Sequence, residues 1–270
     1  MKKVVLYIIM IVLALVSLFP FYILLFVALS PSTVSMSAGN FLMTEIDWSN
    51  LLHAWQRSKM EIALKNSLII TAGSLILIVL FSAGAGYVFA RVNTWYNKFI
   101  FNFILFSLFI PGIINTVPLY SLLRKIGGIN THWAMICLIA TGALPFSIFL
   151  YMNFIKKLSR EIEESAIIDG CSEFGAFWRI SFPLLLPITS TVIILNAIAA
   201  WNNYGQAVFF LQSQEMHTVP LAISRFVQSY GADYTMMGAS ALIGLIPVTI
   251  VYLSFQRFFV SGLSAGAVKG

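Results

Sequence analysis

The chain has 270 residues, of which 59% are hydrophobic and only 10% are charged, and its formal net charge is +6. Because a soluble globular domain carries about 25% charged residues, this composition excludes an ordinary soluble protein and indicates an integral membrane protein. Basic residues beside anionic lipid headgroups account for the positive charge, so no nucleic-acid partner is implied.

Six apolar stretches are long enough to cross a bilayer, which takes about 20 mostly apolar residues. The fifth stretch is short, and its outer end is expected to include Trp201 to Tyr204 as well. The first follows two lysines, but its apolar run is about twice that of a signal peptide and ends without a small-x-small cleavage site. We therefore predict a segment of residues 1–66, with an anchor helix and an outer loop, and a core domain of residues 67–270. The predicted spans are Val4–Leu29, Ser67–Ala90, Phe99–Leu123, Trp133–Phe154, Leu184–Ala200 and Ala239–Phe259.

The distribution of Lys and Arg favours one orientation of these spans. The pair Arg124-Lys125 lies on the outer side and opposes the bias, but the reverse orientation fits less well. We expect both termini, the tail 257–270 and the loop Ile155–Phe182 to be cytoplasmic. Ten of the 16 basic residues then lie inside: Lys2, Lys3, Arg91, Lys98, Lys156, Lys157, Arg160, Arg179, Arg257 and Lys269.

Charged residues are nearly absent from the six stretches, where Arg257 near the end of the sixth stretch is the exception. Ion-coupled transporters keep such residues at membrane depth, so uphill transport by this chain would draw its energy through a partner. The sequence contains neither a phosphate-binding loop nor a nucleophile elbow. Cys137, Cys171 and the three His lack metal-ligand spacing. We expect no catalytic residue, no metal and no bound cofactor.

The loop before the fifth stretch predicts a first short helix. Ser159 can cap this helix, and Glu161, Glu163 and Glu164 lie near the positive end of its dipole. Gly170 is expected to adopt the left-handed conformation that ends it.

A second short helix is predicted after Gly170. Ser172 can cap it, and Phe174, Phe177 and Trp178 recur at the spacing of one helix face. Because the segment is too short and too charged to cross a bilayer, this apolar stripe is expected to bury itself against the membrane surface, the spans or a partner protein. Pro183 and Pro187 then set the start of the fifth span.

The same loop resembles the EAA loop of bacterial ABC-importer permeases. The matching residues are Glu164-Ser165-Ala166, Asp169-Gly170 and, nine residues after the glycine, Ile180-Ser181-Phe182-Pro183. Ser165 and Phe182 replace the usual Ala and Leu.

Shorter segments resemble the carbohydrate-uptake branch of these permeases. They include Ala85–Arg91 at the end of the second stretch and Trp201-Asn202 after the fifth. The ending 262–270 is similar to the tail of the smaller permease subunit in maltose-type importers. Where that family has Trp-Asn-Glu, this chain has Asn203 in the third position.

The resemblance implies an all-α integral membrane protein with the type I ABC importer permease fold and a cytoplasmic coupling loop at residues 155–183. It implies no enzyme activity, because ATP and Mg²⁺ would be bound by two separate ATPase subunits. A second homologous permease subunit and an extracytoplasmic sugar-binding protein would complete the complex in a bacterial cytoplasmic membrane. The implied coupling residues are Glu164, Ser165, Ala166, Asp169, Gly170, Phe174, Phe177, Trp178, Ile180, Pro183, Lys269 and Gly270.

The polar groups of the spans favour a neutral mono- or oligosaccharide as substrate. Burying an isolated charge costs a large free energy, and the spans offer amides, hydroxyls and aromatic rings instead of counter-charges. Asn196 is the leading path candidate because its span directly follows the loop; Asn115, Trp201 and Asn202 are the others. The alternative for these amides is that they only bridge neighbouring helices. The alternatives for the protein are an ABC permease for a polyol, glycerol phosphate, amino acid or peptide, and a secondary transporter.

Overall fold

The structure, a computed structural model, describes residues 2–31, 45–228 and 231–267. Its helices are α1 (Lys2–Leu29), α2 (Ser49–Ser58), α3 (Met60–Arg91), α4 (Trp95–Phe106), α5 (Thr116–Lys125), α6 (His132–Ile155), α7 (Glu161–Ile168), α8 (Glu173–Ala176), α9 (Phe182–Leu184), α10 (Leu186–Trp201), α11 (Ala207–Phe210), α12 (Val219–Ser224) and α13 (Tyr234–Ala267). Three 3₁₀ turns (Ser107–Phe109, Gly112–Asn115, Gln214–Met216), a π-helical segment (Phe177–Ser181) and the hairpin strands β1 (Val227–Gln228) and β2 (Gly231–Ala232) complete the described elements.

Four helices of the described chain are long and apolar enough to cross a membrane by themselves: α1, α3, α6 and the first part of α13. Two further candidates are bent pairs. One joins α4 to α5 with a bend of 93°, and the other joins Glu173–Leu184 to α10 with a bend of 73°. The described residues therefore contain four candidate spans, or six if each bent pair counts as one, and the six apolar stretches predicted six.

The stretch Phe99–Leu123 does not form one continuous helix. Ile110 is extended, with φ of −87° and ψ of 115°, as expected for a residue before proline. Pro111 and Gly112 then turn the chain between two 3₁₀ turns. The prediction for the fifth span is wrong in detail, since α10 ends at Trp201 and does not continue to Tyr204.

The chain divides into two compact units, and the larger comprises Ser67–Met216 and Val248–Gly270. Its core contains Ile78, Tyr151, Phe177 and Val192, which come from α3, α6, the π-helical segment and α10. A Cβ atom at Gly86 would lie 2.7 Å from the Cβ of Tyr151, so α3 and α6 approach closely there. This core therefore joins the loop after α6 to three long helices.

The smaller unit comprises Met1–Asn66 and His217–Pro247. Its core contains Leu29, Ala54 and Phe226. Asp47 accepts hydrogen bonds from the hydroxyl and the N–H of Ser49 at the start of α2, and these bonds lower the pKa of its carboxyl group. This unit therefore includes residues 217–247, which the sequence-based division had placed in the core domain. The division at residue 66 stays a prediction.

Candidate functional site: the loop between α6 and α10

Helix α7 ends as its sequence predicts, while Ser159, the predicted cap, lies one residue before the N-cap position. The Ser159 hydroxyl accepts a hydrogen bond from the N–H of Glu161 at 3.2 Å, although Arg160 holds the N-cap position. Gly170 has a φ of +91°, which confirms the predicted left-handed conformation. Its N–H donates to the carbonyl of Ile167, and the next N–H donates to the carbonyl of Ala166, both at 3.0 Å. These two bonds form a Schellman motif, which fixes where the chain turns.

The second helix is capped as predicted, but its apolar stripe is divided. Ser172 accepts the N–H of Gly175 at 3.2 Å. Phe174 is 76% exposed, whereas Phe177 is 6% exposed, so the stripe is buried at one end and exposed at the other. A π-helix begins at Phe177, and the ring centroids of Phe174 and Trp178 still lie 6.2 Å apart.

Phe177 packs into the core of the larger unit. Its ring centroid lies 4.8 Å from that of Tyr87 on α3 and 4.9 Å from that of Trp178. Trp178 is half-buried and contacts Phe182 with a centroid distance of 4.9 Å. The aromatic residues therefore hold the loop against α3.

A surface cleft of about 480 Å³ brings together three predicted coupling residues, Gly170, Phe174 and Trp178. Arg179 also lines this cleft. The other predicted residues lie elsewhere: Glu164, Ser165 and Asp169 are exposed on or just after α7, Ala166 and Ile180 are half-buried, Pro183 is exposed in α9, and Lys269 and Gly270 lie outside the described residues.

The loop also contains a buried ion pair that was not predicted from the sequence. Nη2 of Arg91 lies 2.7 Å from Oε1 of Glu163, and Nε of Arg91 donates to Oε2 at 3.0 Å. The two side chains are 10% and 9% exposed. Two parallel N–H···O bonds of this kind give both strength and a fixed orientation. The pair therefore joins the last residue of α3 to α7.

Further hydrogen bonds surround this pair. The hydroxyl of Tyr87 donates to Oε2 of Glu163 at 3.1 Å, and the hydroxyl of Ser181 donates to Oε1 at 3.0 Å. The Arg91 guanidinium also donates to the carbonyl of Leu158 at 3.3 and 3.4 Å. The cluster, Tyr87, Arg91, Glu163 and Ser181, thus ties α3, α7 and the π-helical segment together. We call it the loop anchor.

A separate cavity of about 310 Å³ contains the leading path candidate, Asn196. The amide nitrogen of Asn196 donates to the hydroxyl of Ser147 at 3.2 Å and to the carbonyl of Val192 at 2.8 Å. Asn203 and Gln206 also line the cavity, and the Asn203 amide donates to Oε1 of Gln206 at 2.9 Å. The cavity is therefore bordered by three amides and otherwise by apolar residues and a glycine.

The structure does not bring the remaining path candidates to this cavity. Trp201 is buried, Asn202 is exposed at the end of α10, and Asn115 is exposed before α5. Asn203 and Gln206 line the cavity without having been predicted as path residues. The departure from the family pattern at Asn203 was the signal that could have drawn attention to the first of them.

The comparisons with known proteins agree with this architecture. Residues 78–265 match the family described as binding-protein-dependent transport system inner membrane component. The melibiose/raffinose/stachyose import permease protein MelC of Bacillus subtilis (strain 168) is 36% identical over 252 residues, which cover 93% of this chain and 91% of that protein. The arabinooligosaccharides transport system permease protein AraQ of Halalkalibacterium halodurans is 30% identical over 261 residues, covering 95% and 93%.

A solved structure shows the same fold. It is a bacterial ABC transporter involved in the import of the acidic polysaccharide alginate, with a TM-score of 0.80 and 21% identity over 95% of this chain and 97% of that chain. The prediction of an all-α ABC importer permease fold is thus confirmed. The two relatives are permease subunits, in agreement with the prediction that this chain is not an enzyme. On the family match and the length of the two alignments, this multi-pass membrane protein belongs to the binding-protein-dependent transport system inner membrane components.

Proposed function

We propose that this chain is a permease subunit of an ATP-driven importer that moves a neutral sugar or oligosaccharide across the cytoplasmic membrane by alternating access. One observation carries the proposal beyond family membership. The loop between α6 and α10 exposes one surface while the loop anchor fixes it to α3 through a buried ion pair. A force applied to that surface would therefore reach a membrane-spanning helix.

The exposed side of the loop suits contact with an ATPase subunit. Ile168 and Phe174 are 85% and 76% exposed, so this side of the loop presents two large apolar side chains. Glu164 and Asp169 add negative charge beside them. We propose that these residues and the cleft of Gly170 and its neighbours form the contact surface, which Lys269 and Gly270 join by family resemblance.

The proposed complex has a second homologous permease subunit, two ATPase subunits and an extracytoplasmic sugar-binding protein. ATP and Mg²⁺ are bound by the ATPase subunits. Both termini of the chain are cytoplasmic in this arrangement, and so is the loop. The family description, which names dependence on a binding protein, supports the last partner.

The cavity beside α10 supports a neutral substrate. Its volume of about 310 Å³ lies within the ordinary range for small-molecule sites, about 300–1,000 Å³. The amides of Asn196, Asn203 and Gln206 can donate to and accept from sugar hydroxyls. Asp, Glu, Lys and Arg are absent from its lining. The import of oligosaccharides by both relatives supports the same substrate class.

The test is uptake of radiolabelled solutes by vesicles that contain the assembled transporter and its binding protein. The panel comprises neutral mono- and oligosaccharides, polyols, glycerol phosphate, amino acids and short peptides. We expect ATP-dependent uptake of at least one neutral saccharide to exceed that of every other class. Preference for a charged solute or a peptide would overturn the substrate assignment, and uptake that continues without ATP would overturn the ATP-driven mechanism.

A further inference from the structure

A third cavity, of about 460 Å³, lies where α3, α4 and α6 meet the start of α7. Its lining has two different sides. Lys98, Lys156 and Arg160 supply three cationic groups, while Phe89 and Phe101 supply an apolar wall. Neither Asp nor Glu contributes to the lining.

The two sides of the cavity are fixed by contacts within the chain. The rings of Phe89 and Phe101 have a centroid distance of 5.4 Å, which holds the apolar wall together. Asn97 donates to the carbonyl of Val92 at 3.1 Å and so fixes the connection between α3 and α4. Arg160 donates to the carbonyl of Arg91, which holds its guanidinium beside the cavity.

The cations of this cavity have no acidic partner within the described part of the chain. The ion pairs found there are Arg57 with Asp233 and Arg91 with Glu163. Glu163 already accepts four hydrogen bonds in the loop anchor, so it is not available to neutralise Lys156 or Arg160. The cavity therefore offers uncompensated positive charge.

The position of the cavity points to a lipid. It lies at the ends of two spans, since α3 ends at Arg91 and α6 ends at Ile155. Trp95 and Tyr96, which begin α4, are 78% and 49% exposed, as is typical of aromatic residues at the headgroup level of a membrane. Phe99 on the next turn is 65% exposed, so the apolar surface continues along α4.

We propose that this cavity binds the headgroup of an anionic phospholipid, with the phosphate beside Lys98, Lys156 and Arg160 and the acyl chains along Phe101 and Phe99. Basic cavities between spans at the membrane interface bind acidic headgroups through the same chemistry. The apolar wall distinguishes a lipid from a soluble anion, for which it would serve no purpose. The site requires only that the chain spans a membrane, so it does not depend on the identity of the transported solute.

Native mass spectrometry of the full chain with its partner subunits tests this proposal. The delipidated complex is titrated with phosphatidylglycerol or, separately, with phosphatidylcholine. We expect one phosphatidylglycerol per copy of this chain that phosphatidylcholine does not replace. Lys98→Gln, Lys156→Gln and Arg160→Gln should each weaken its binding about five-fold, and the triple variant should lose it.

The matched control is Arg124→Gln with Lys125→Gln, which removes two cations from the end of α5, outside the cavity. It should retain the bound lipid. Equal binding in the wild type and the triple variant would overturn the proposal, and so would equal losses in the triple and control variants. Displacement of the lipid by inorganic phosphate at similar concentration would assign the cavity to a soluble anion instead. If the triple variant loses the ATPase subunits but keeps the lipid, the cavity would be assigned to contact with an acidic protein surface.

Discussion

Glu163 and Glu164 are neighbours in sequence, yet we predict that their replacement by Gln has very different effects on stability. Glu163→Gln keeps the size of the side chain but leaves the charge of Arg91, which is 10% exposed, without its partner. Removing one member of a buried ion pair costs about 3–5 kcal/mol. Because Gln keeps an acceptor oxygen and Arg91 keeps the Leu158 carbonyl, we expect a loss at the lower end, about 3 kcal/mol. Glu164→Gln on the exposed side should change the free energy of unfolding by at most about 0.5 kcal/mol.

Thermal unfolding of the purified complex, followed by tryptophan fluorescence, measures this difference. A double-mutant cycle with Arg91→Leu and Glu163→Leu isolates the pairwise interaction from other effects of each substitution. We expect the double variant to be more stable than the sum of the single losses predicts, by at least about 1.5 kcal/mol. Equal melting temperatures for Glu163→Gln and Glu164→Gln, or strictly additive losses in the cycle, would refute the assignment of the loop anchor as a buried, coupled pair.

Three further predictions concern the loop, the substrate path and the orientation of the chain in the membrane. Gly170→Val should suppress the ATPase stimulation by loaded binding protein, whereas Gly170→Asn should retain it. Among the described residues, no atom lies within 4 Å of a Cβ built at this position, so a side chain meets no steric clash. The cost of substitution, about 1–2 kcal/mol for most residues, arises instead from the φ of +91°, which Asn tolerates. Full stimulation in the Val variant would contradict this prediction. Asn196→Leu should reduce sugar uptake more than Asn102→Leu, because of these two residues Asn196 alone lines the amide cavity; equal uptake would count against the path. Reporter fusions at Gly270 and within residues 159–173 should give cytoplasmic signals, and an external signal at either site would exclude contact with an ATPase.

The helices that the sequence predicted well are those whose cause lies in one short segment. A membrane span must satisfy its own backbone hydrogen bonds in hydrocarbon, so an apolar stretch of sufficient length predicts a helix. The stretches Val4–Leu29 and Trp133–Phe154 accordingly lie within α1 and α6. The caps at Gly170 and Ser172 could also be predicted, because their hydrogen bonds join residues three to five apart.

The bend in the third stretch was missed because hydropathy was averaged over a local signal. Pro111-Gly112 lies in the middle of the third apolar stretch, and its hydropathy gives no sign of the 93° bend. The proline itself was the signal, since it lacks an N–H and restricts the residue before it. The π-helix at Phe177–Ser181 left no comparable signal in the sequence.

The loop anchor was beyond prediction for a different reason. Arg91 and Glu163 are separated by 72 residues, and no local pattern relates them. Glu161, Glu163 and Glu164 are equally plausible as charges that stabilise the start of a helix. Only the packing of α3 against α7 decides which carboxylate is buried, and that carboxylate is Glu163.

The inward position of Glu163 also determines what Glu164 can do. Successive residues of an α-helix point about 100° apart, so fixing Glu163 against Arg91 directs Glu164 away from α3. A buried ion pair is weak evidence for stability, but it can specify one orientation among several of similar energy. We therefore expect the Arg91→Leu/Glu163→Leu double variant to regain part of the stability lost in either single variant while ATPase stimulation stays low. Apolar contacts can fill the volume of the pair, but they do not fix the rotation of α7. Recovery of stability and stimulation together would show that packing alone orients the loop.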